Sequence, residues 1–375
     1  MGECGAHIWA PADEQLPGAV GSRLTWHATK QMRPHRRSNV GWMVGALIAL
    51  AYPLPFETGG YVYYETVGFL VLLNAMLGIG WNIIGGWAGQ FDFGPNIFFA
   101  MGAYTAALLA IHFQANAWLG LVGAVAVAVI VCAAVTYPIT RLRGHYFAIA
   151  TVAMWMIAQP IGATWEFING SRGLFIPVSP GGGFVRGMLT MGFPGRGKGL
   201  GFYYLTLLLF ALTLLGARAV EHSKLGLYFR AVRDDQDGAE GIGIDSRLYK
   251  VIARCLMAAV FAAGGVLYGF WALSVLPDQV LEVNWNILPM MAAVVGGLGR
   301  LWGPVLGSIV LIPISQVMTA TLGSGPLAGR GIDLIIYGAV IMLIAGWRPN
   351  GLLSLPWARW AQRLRGRAPA TAVKG

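Results

Sequence analysis

The chain has 375 residues, of which 56% are hydrophobic and only 11% charged, against roughly 25% charged in an average soluble domain. So few charges cannot cover a soluble protein of this length, and a mean hydropathy of +0.62 points to a chain solvated by lipid. The formal net charge of +10 sits mainly in short segments between apolar runs, a placement that the positive-inside rule explains and that argues against nucleic acid as a partner.

Residues 1–38 place Asp13, Glu14 and several prolines and glycines before any apolar run, which is not the build of a signal peptide. They are expected to form a disordered basic cytoplasmic tail, with Arg33, Arg36 and Arg37 abutting the first apolar run. Met32 opens a stretch that would serve as an N-terminus by itself, so a start there is a further expectation. A spanning helix takes roughly 20 apolar residues, and about ten runs of that kind follow. They lie near 40–56, 62–84, 94–113, 117–140, 145–166, 201–219, 251–275, 284–298, 303–321 and 331–347. The pattern predicts an all-α, polytopic bundle of transmembrane helices, some of them broken or re-entrant. It fills a membrane domain over 39–348 and leaves 349–375 as a second basic tail.

Counting crossings from an inside N-terminus puts Arg141 and Arg143 inside, together with the 220–250 segment and the tail bearing Arg359, Arg363, Arg365 and Arg367. Both termini are therefore expected in the cytoplasm. The loop 167–200 falls outside despite Arg172, Arg186, Arg196 and Lys198, and is the discordant piece. The three cysteines, Cys4, Cys132 and Cys255, have neither metal-site nor complete disulfide spacing.

Two stretches repeat a theme: GGWAGQFDFGP from Gly85 to Pro95, and GGLGRLWGP from Gly296 to Pro304. Gly and Pro together break a helix, and the freed backbone groups must be satisfied by protein or water. Each stretch is either a tight turn or a broken, re-entrant piece of a translocation pathway. On the second reading the pathway is lined at Gly85, Gly86, Gly89, Asp92 and Gly94, and at Gly296, Gly297 and Gly299. Asp92 is the acidic residue best placed for a pathway. Glu166, Asp333, His112 and His145 lie at run ends, where interfacial positions are expected.

The segment 221–250, EHSKLGLYFRAVRDDQDGAEGIGIDSRLYK, is far too polar to span. Leu225, Leu227, Phe229, Val232, Ala239, Ile242 and Ile244 give it an intermittent apolar face, and Arg230 to Glu240 is expected to be a short helix. Such a segment suits docking into another protein, or is a solvated loop. Gly192 to Lys198 imitates a phosphate-binding loop, but Gly199 stands where Ser or Thr must reach magnesium. With no catalytic triad and no metal-ligand spacing, the chain is not expected to be an enzyme, and neither cofactor nor metal is expected in it.

The pattern Ser-Lys-Leu-Gly, then RAVRDDQDGAEGIGI, then Tyr-Lys entering the next apolar run resembles the coupling region of branched-chain amino-acid permeases of bacterial ATP-binding-cassette importers, the LivH/LivM permease family. RLRGHYFAIAT (Arg141 to Thr151), NGSRGL (Asn169 to Leu174), GGVLYGF (Gly264 to Phe270), VVGGLGRLWGPVLGS (Val294 to Ser308) and WRPNGLL (Trp347 to Leu353) resemble further stretches of that family, covering about residues 40 to 355. The resemblance implies a permease that moves amino acids, branched-chain ones first, across the bacterial inner membrane. It implies partners as well: a second homologous permease, two cytoplasmic ATP-binding subunits that use ATP and Mg, and a periplasmic solute-binding protein. It also implies coupling to the ATPases through Arg230, Arg233, Asp234, Asp235, Ala239, Glu240 and Gly243. The family usually has alanine where this chain has Gly238 and Gly241, which predicts a shorter or looser coupling helix. A urea or short-amide permease of the same superfamily is the alternative. A stand-alone secondary transporter or channel would need intramembrane ionisable groups that the sequence scarcely offers.

Overall fold

The structure is a computed structural model describing residues 49–52, 62–113, 117–140, 142, 144–176, 199–322 and 338–339. The chain divides into two compact units, 1–49 and 50–375. Only Ala49 of the first is described, and the labelled elements all belong to the second.

Helix α1 (Val62–Asn82) runs into a π-helical turn (Ile83–Trp87), and α2 (Asn96–Phe113), α3 (Ala117–Ile139) and α4 (His145–Thr164) follow. After α5 (Gly199–His222) come two short helices, α6 (Lys224–Asp234) and α7 (Gln236–Gly241), then α8 (Ser246–Ala272), the single-turn α9 (Pro277–Val280), α10 (Asn284–Gly297) and α11 (Gly303–Leu322). The strands β1 (Leu174–Phe175) and β2 (Ser274–Val275) pair antiparallel, Leu174 opposite Val275. They tie the segment after α4 to the end of α8. The all-α expectation holds around this minimal ribbon.

Every apolar run from 62–84 through 303–321 forms a helix. Among the described residues seven spans are long and apolar enough to cross a membrane, counting α1 with its π turn as one and Pro277–Gly297 as another. Gly303–Val317 is a shorter apolar helix. The runs at 40–56 and 331–347 lie almost wholly outside the described residues, so the count near ten is approximate. The tails and most of the 167–200 loop, including the 192–198 stretch, lie outside them too.

The centre of the bundle is α8, which packs on α1, α2 and α3, while α11 packs on α1 and α10. Small residues let these helices touch: a Cβ on Gly265 would stand 1.9 Å from Phe99 O, and one on Gly102 would stand 2.2 Å from Ala262 O. Close backbone approach of this kind drives helix association where lipid removes the hydrophobic difference. The outer helices α3 and α4 instead turn Leu119, Val122, Ile130, Ile149 and Ile157 outward, and helices apolar on every side belong in a membrane.

The polar segment departs from its expectation in one respect. Arg230 to Glu240 is not one helix; α6 ends at Asp234 and α7 begins at Gln236. Asp235 is extended between them (φ −155°, ψ 109°), and its side chain accepts from Asp237 N as the cap of α7. A capping carboxylate competes with helix continuation at its own position. The six-residue α7 agrees with the looser helix that Gly238 and Gly241 predict.

Candidate functional site

The two Gly-rich stretches, far apart in sequence, meet at one end of the bundle, the end that carries α6 and α7. Asn82 Oδ1 accepts from Gly299 N (2.9 Å), Asn82 Nδ2 donates to Arg300 O (3.2 Å), and Trp87 Nε1 donates to Gly299 O (3.0 Å). The second stretch is a tight turn. Gly297 and Gly299 have φ of +129° and +75°, and a Cβ on Gly296 would stand 1.7 Å from Gly303 O, so α10 and α11 form a close hairpin. The first stretch is a break of another kind: the buried π turn at Ile83–Trp87 gives way to a non-helical connection through Pro95, in which Asp92, Gly94 and Pro95 are buried and Phe91 is exposed. π turns often mark functional sites because they leave backbone groups free for other partners.

One of those groups is reached from the polar segment. Arg233 of α6 donates from Nη1 to Gly86 O (3.0 Å), across 147 residues of sequence. Asp234 Oδ1 accepts from both Nε (3.0 Å) and Nη2 (2.9 Å) of the same guanidinium and orients it. The stem of Arg233 lies against Gly89, whose φ is +70° and where a Cβ would stand 2.4 Å from Arg233 Cγ. Any L-residue at Gly89 would be strained and would also displace the arginine.

The other expected coupling residues do different things. Arg230 pairs with Glu221 (3.6 Å) at a half-exposed position, where such a pair contributes little. Gly243 carries the turn into α8 at φ +89°. The Glu240 carboxylate accepts from Ser246 and Gln236, and Gln236 Oε1 accepts from Lys250 Nζ (2.7 Å), so α7 is fastened to the start of α8. Ala239 is 4% exposed, buried against its own chain. Phe229 and Val232 are buried likewise, whereas Leu227 and Ile242 stand out at 63% and 78% exposed. The apolar residues of the segment therefore divide, some holding it to the bundle and two facing outward. A charge at position 239 would act first on this chain's own packing.

A residue that the sequence reading did not single out lies next to the first break. Arg254 of α8 donates from Nε to Asp92 Oδ2 (2.6 Å), and both side chains are fully buried. Arg254 Nη1 donates to Thr136 Oγ1 of α3 (3.2 Å), and Gly94 N donates to Asp92 Oδ1 (2.8 Å). The guanidinium lies 5.4 and 5.5 Å from the ring centroids of Phe98 and Phe147, contacts that offset part of its desolvation. Nη2 has no hydrogen-bond acceptor among the described residues. The pair thus joins α8, α3 and the connection into α2, and Asp92 faces no open cavity in this conformation. The signal was present: a cation inside the 251–275 apolar run requires a partner, and Asp92 is the acid within reach. Ser246, Lys250 and Arg254 recur at intervals of four on α8, which puts the α7 anchor and the break anchor on one helical stripe.

Among the described residues, no group of three or more His, Cys, Asp or Glu side chains could hold a metal ion. The arrangement is mechanical. A polar, outward-facing segment is fastened at one point to the first Gly-rich stretch, beside where it meets the second, and at another to the central helix.

The family described as the permease component of branched-chain amino acid transport systems matches residues 63–345. The high-affinity branched-chain amino acid transport permease LivM of Escherichia coli is 26% identical over 326 residues, 83% of this chain and 74% of the relative. LivM of Salmonella typhimurium is 24% identical over 82% of this chain and 73% of the relative. The permease BraD of Pseudomonas aeruginosa is 25% identical over 75% of this chain and 92% of the relative. No solved structure matches the chain. With the matched span running from the second residue of α1 through α11, the chain belongs to the branched-chain amino acid transport permease family.

Proposed function

We propose that the chain is the membrane permease subunit of an ATP-binding-cassette importer that carries branched-chain amino acids across the inner membrane. The observation that carries this reading is the α6–α7 segment: too polar to span, set between α5 and α8, and fastened through Arg233 to the first Gly-rich stretch where it meets the second. On this reading the segment lies in the cytoplasm with both termini, and Leu227 and Ile242 meet an ATP-binding subunit. A second permease completes the pathway, and a periplasmic binding protein delivers the solute. ATP and Mg belong to the ATP-binding subunits. Closure of those subunits moves α6 and α7, Arg233 carries the motion to the two stretches, and the Glu240–Ser246–Lys250 contacts carry it to α8. The first Gly-rich stretch lies along the pathway, and the tight turn of the second braces it. A urea or amide solute is disfavoured by the names of the matched relatives.

In proteoliposomes with an ion gradient, the chain alone is expected to accumulate no labelled leucine. Adding a second permease, ATP-binding subunits, binding protein and ATP should produce accumulation. Concentrative uptake by the chain alone would mean a stand-alone transporter, and urea uptake by the full assembly would change the solute class. Orientation has its own test. A cysteine replacing Asp237 should react with an impermeant thiol reagent only after permeabilisation of cells, and reaction in intact cells would place α6 and α7 outside.

A further inference from the structure

A partly open cavity of about 260 Å³ lies where α4, α10 and the connection from the π turn to α2 converge. It is just under the range of about 300–1,000 Å³ that takes drug-sized ligands, which sizes it for a small solute. Val152 and Trp155 of α4, Ile287 and Met291 of α10, and Phe93 of the connection form its apolar wall. Methionine suits such a wall because its flexible thioether adapts to branched groups.

Asn286, only 3% exposed, is the polar residue of the lining. Its Oδ1 accepts from Asn96 N (2.9 Å), but its Nδ2 has no hydrogen-bond partner among the described residues. Asn96 complements it: Nδ2 donates to Leu281 O and Glu282 O, while Oδ1 is buried without a partner. A free amide donor therefore sits on a residue of the cavity lining, held from behind by Asn96, which is not itself part of that lining. Leaving a buried polar group unpaired is unfavourable, so the Asn286 amide marks a place where another molecule supplies the missing partner. A carboxylate takes such a donor. An aliphatic group then fills the slot.

We propose that this cavity is the solute site of the permease, with Asn286 Nδ2 meeting the α-carboxylate and Val152, Trp155, Ile287 and Met291 the branched side chain. The proposal rests on the importer reading above and adds where the solute binds. The site adjoins the first break through Phe93, whose backbone N donates to Thr151 Oγ1 of α4 (3.1 Å), so a movement of the break reaches it directly.

The test uses the complete importer in proteoliposomes, with labelled leucine, valine and alanine supplied to the binding protein. Val152→Phe fills the slot and should cut the ratio of leucine to alanine uptake at least tenfold in complexes that retain every subunit. Asn286→Asp keeps the acceptor for Asn96 N but replaces the donor with a second anion, and should lower uptake of all three amino acids at least tenfold. If Val152→Phe assembles poorly, Met291→Ala enlarges the slot and should shift selectivity toward phenylalanine. A leucine-to-alanine ratio that stays within twofold in both slot variants overturns the proposal. Loss of the second permease from the purified complex at unchanged selectivity overturns it too, making the groove a seam between permeases. An unmodified importer that takes up no amino acid would instead sink the functional reading itself.

Discussion

Replacing Asp92 with Asn is expected to destabilise the protein by about 3–5 kcal/mol, because the substitution leaves the Arg254 guanidinium buried without its counter-charge. Both side chains are fully buried, so neither water nor salt can stand in for the lost carboxylate, as they do at exposed pairs such as Arg230–Glu221. The asparagine keeps the acceptor for Gly94 N, so the effect isolates the charge rather than the turn. Equilibrium unfolding in a denaturing detergent, beside the unmodified protein, measures it. A change within about 0.5 kcal/mol, the size of an ordinary surface substitution, would mean that Arg254 finds its compensation elsewhere. The double change Asp92→Leu with Arg254→Met removes both charges and should recover most of the loss. Transport by that double variant separates two roles for Asp92. Restored stability with restored uptake makes the pair a structural tie, while restored stability without uptake gives Asp92 a part in the pathway.

The second large effect is expected at Arg233. Arg233→Ala frees Gly86 O, empties the contact on Gly89 and cuts the link from α6 to the meeting point of the two Gly-rich stretches. The complex should still assemble and hydrolyse ATP, since Leu227 and Ile242 are untouched. Uptake should fall at least tenfold, equivalent to about 1.4 kcal/mol of coupling. Ile242→Asp should do the opposite: leave α6 on the break but place an unpaired charge in the proposed docking surface, so that ATP-binding subunits no longer co-purify. Lys224→Gln, on the exposed start of α6, serves as the control. If Arg233→Ala transports normally, motion reaches the breaks by another route, through α7 and α8.

Much of this was legible in the sequence because membrane chemistry simplifies it. Lipid demands helices of a fixed length, so apolar runs alone locate them, and helices appear wherever the described residues cover those runs. The Gly-rich stretches were visible as breaks, since Gly and Pro act locally on the backbone. The polar 221–250 segment was visible by contrast. The break within that segment at Asp235 was not, because whether an aspartate caps a new helix or continues an old one depends on the geometry around it.

Length, hydropathy and local backbone chemistry thus determined by themselves an all-α membrane bundle, the places where its helices are interrupted and the segment too polar to span. These properties depend on each residue's transfer between water and lipid, or on its own φ and ψ, and need no knowledge of distant neighbours. Only the tertiary structure decided that the two interruptions meet, that Arg233 bridges 147 residues to reach Gly86, that Asp92 is neutralised by Arg254 across 162, and that Ala239 turns inward while Ile242 turns out. Each of these is a pairing in space, set by how α8 packs among its neighbours, and a buried charge or a freed carbonyl announces only that it needs a partner, not which partner the fold will bring.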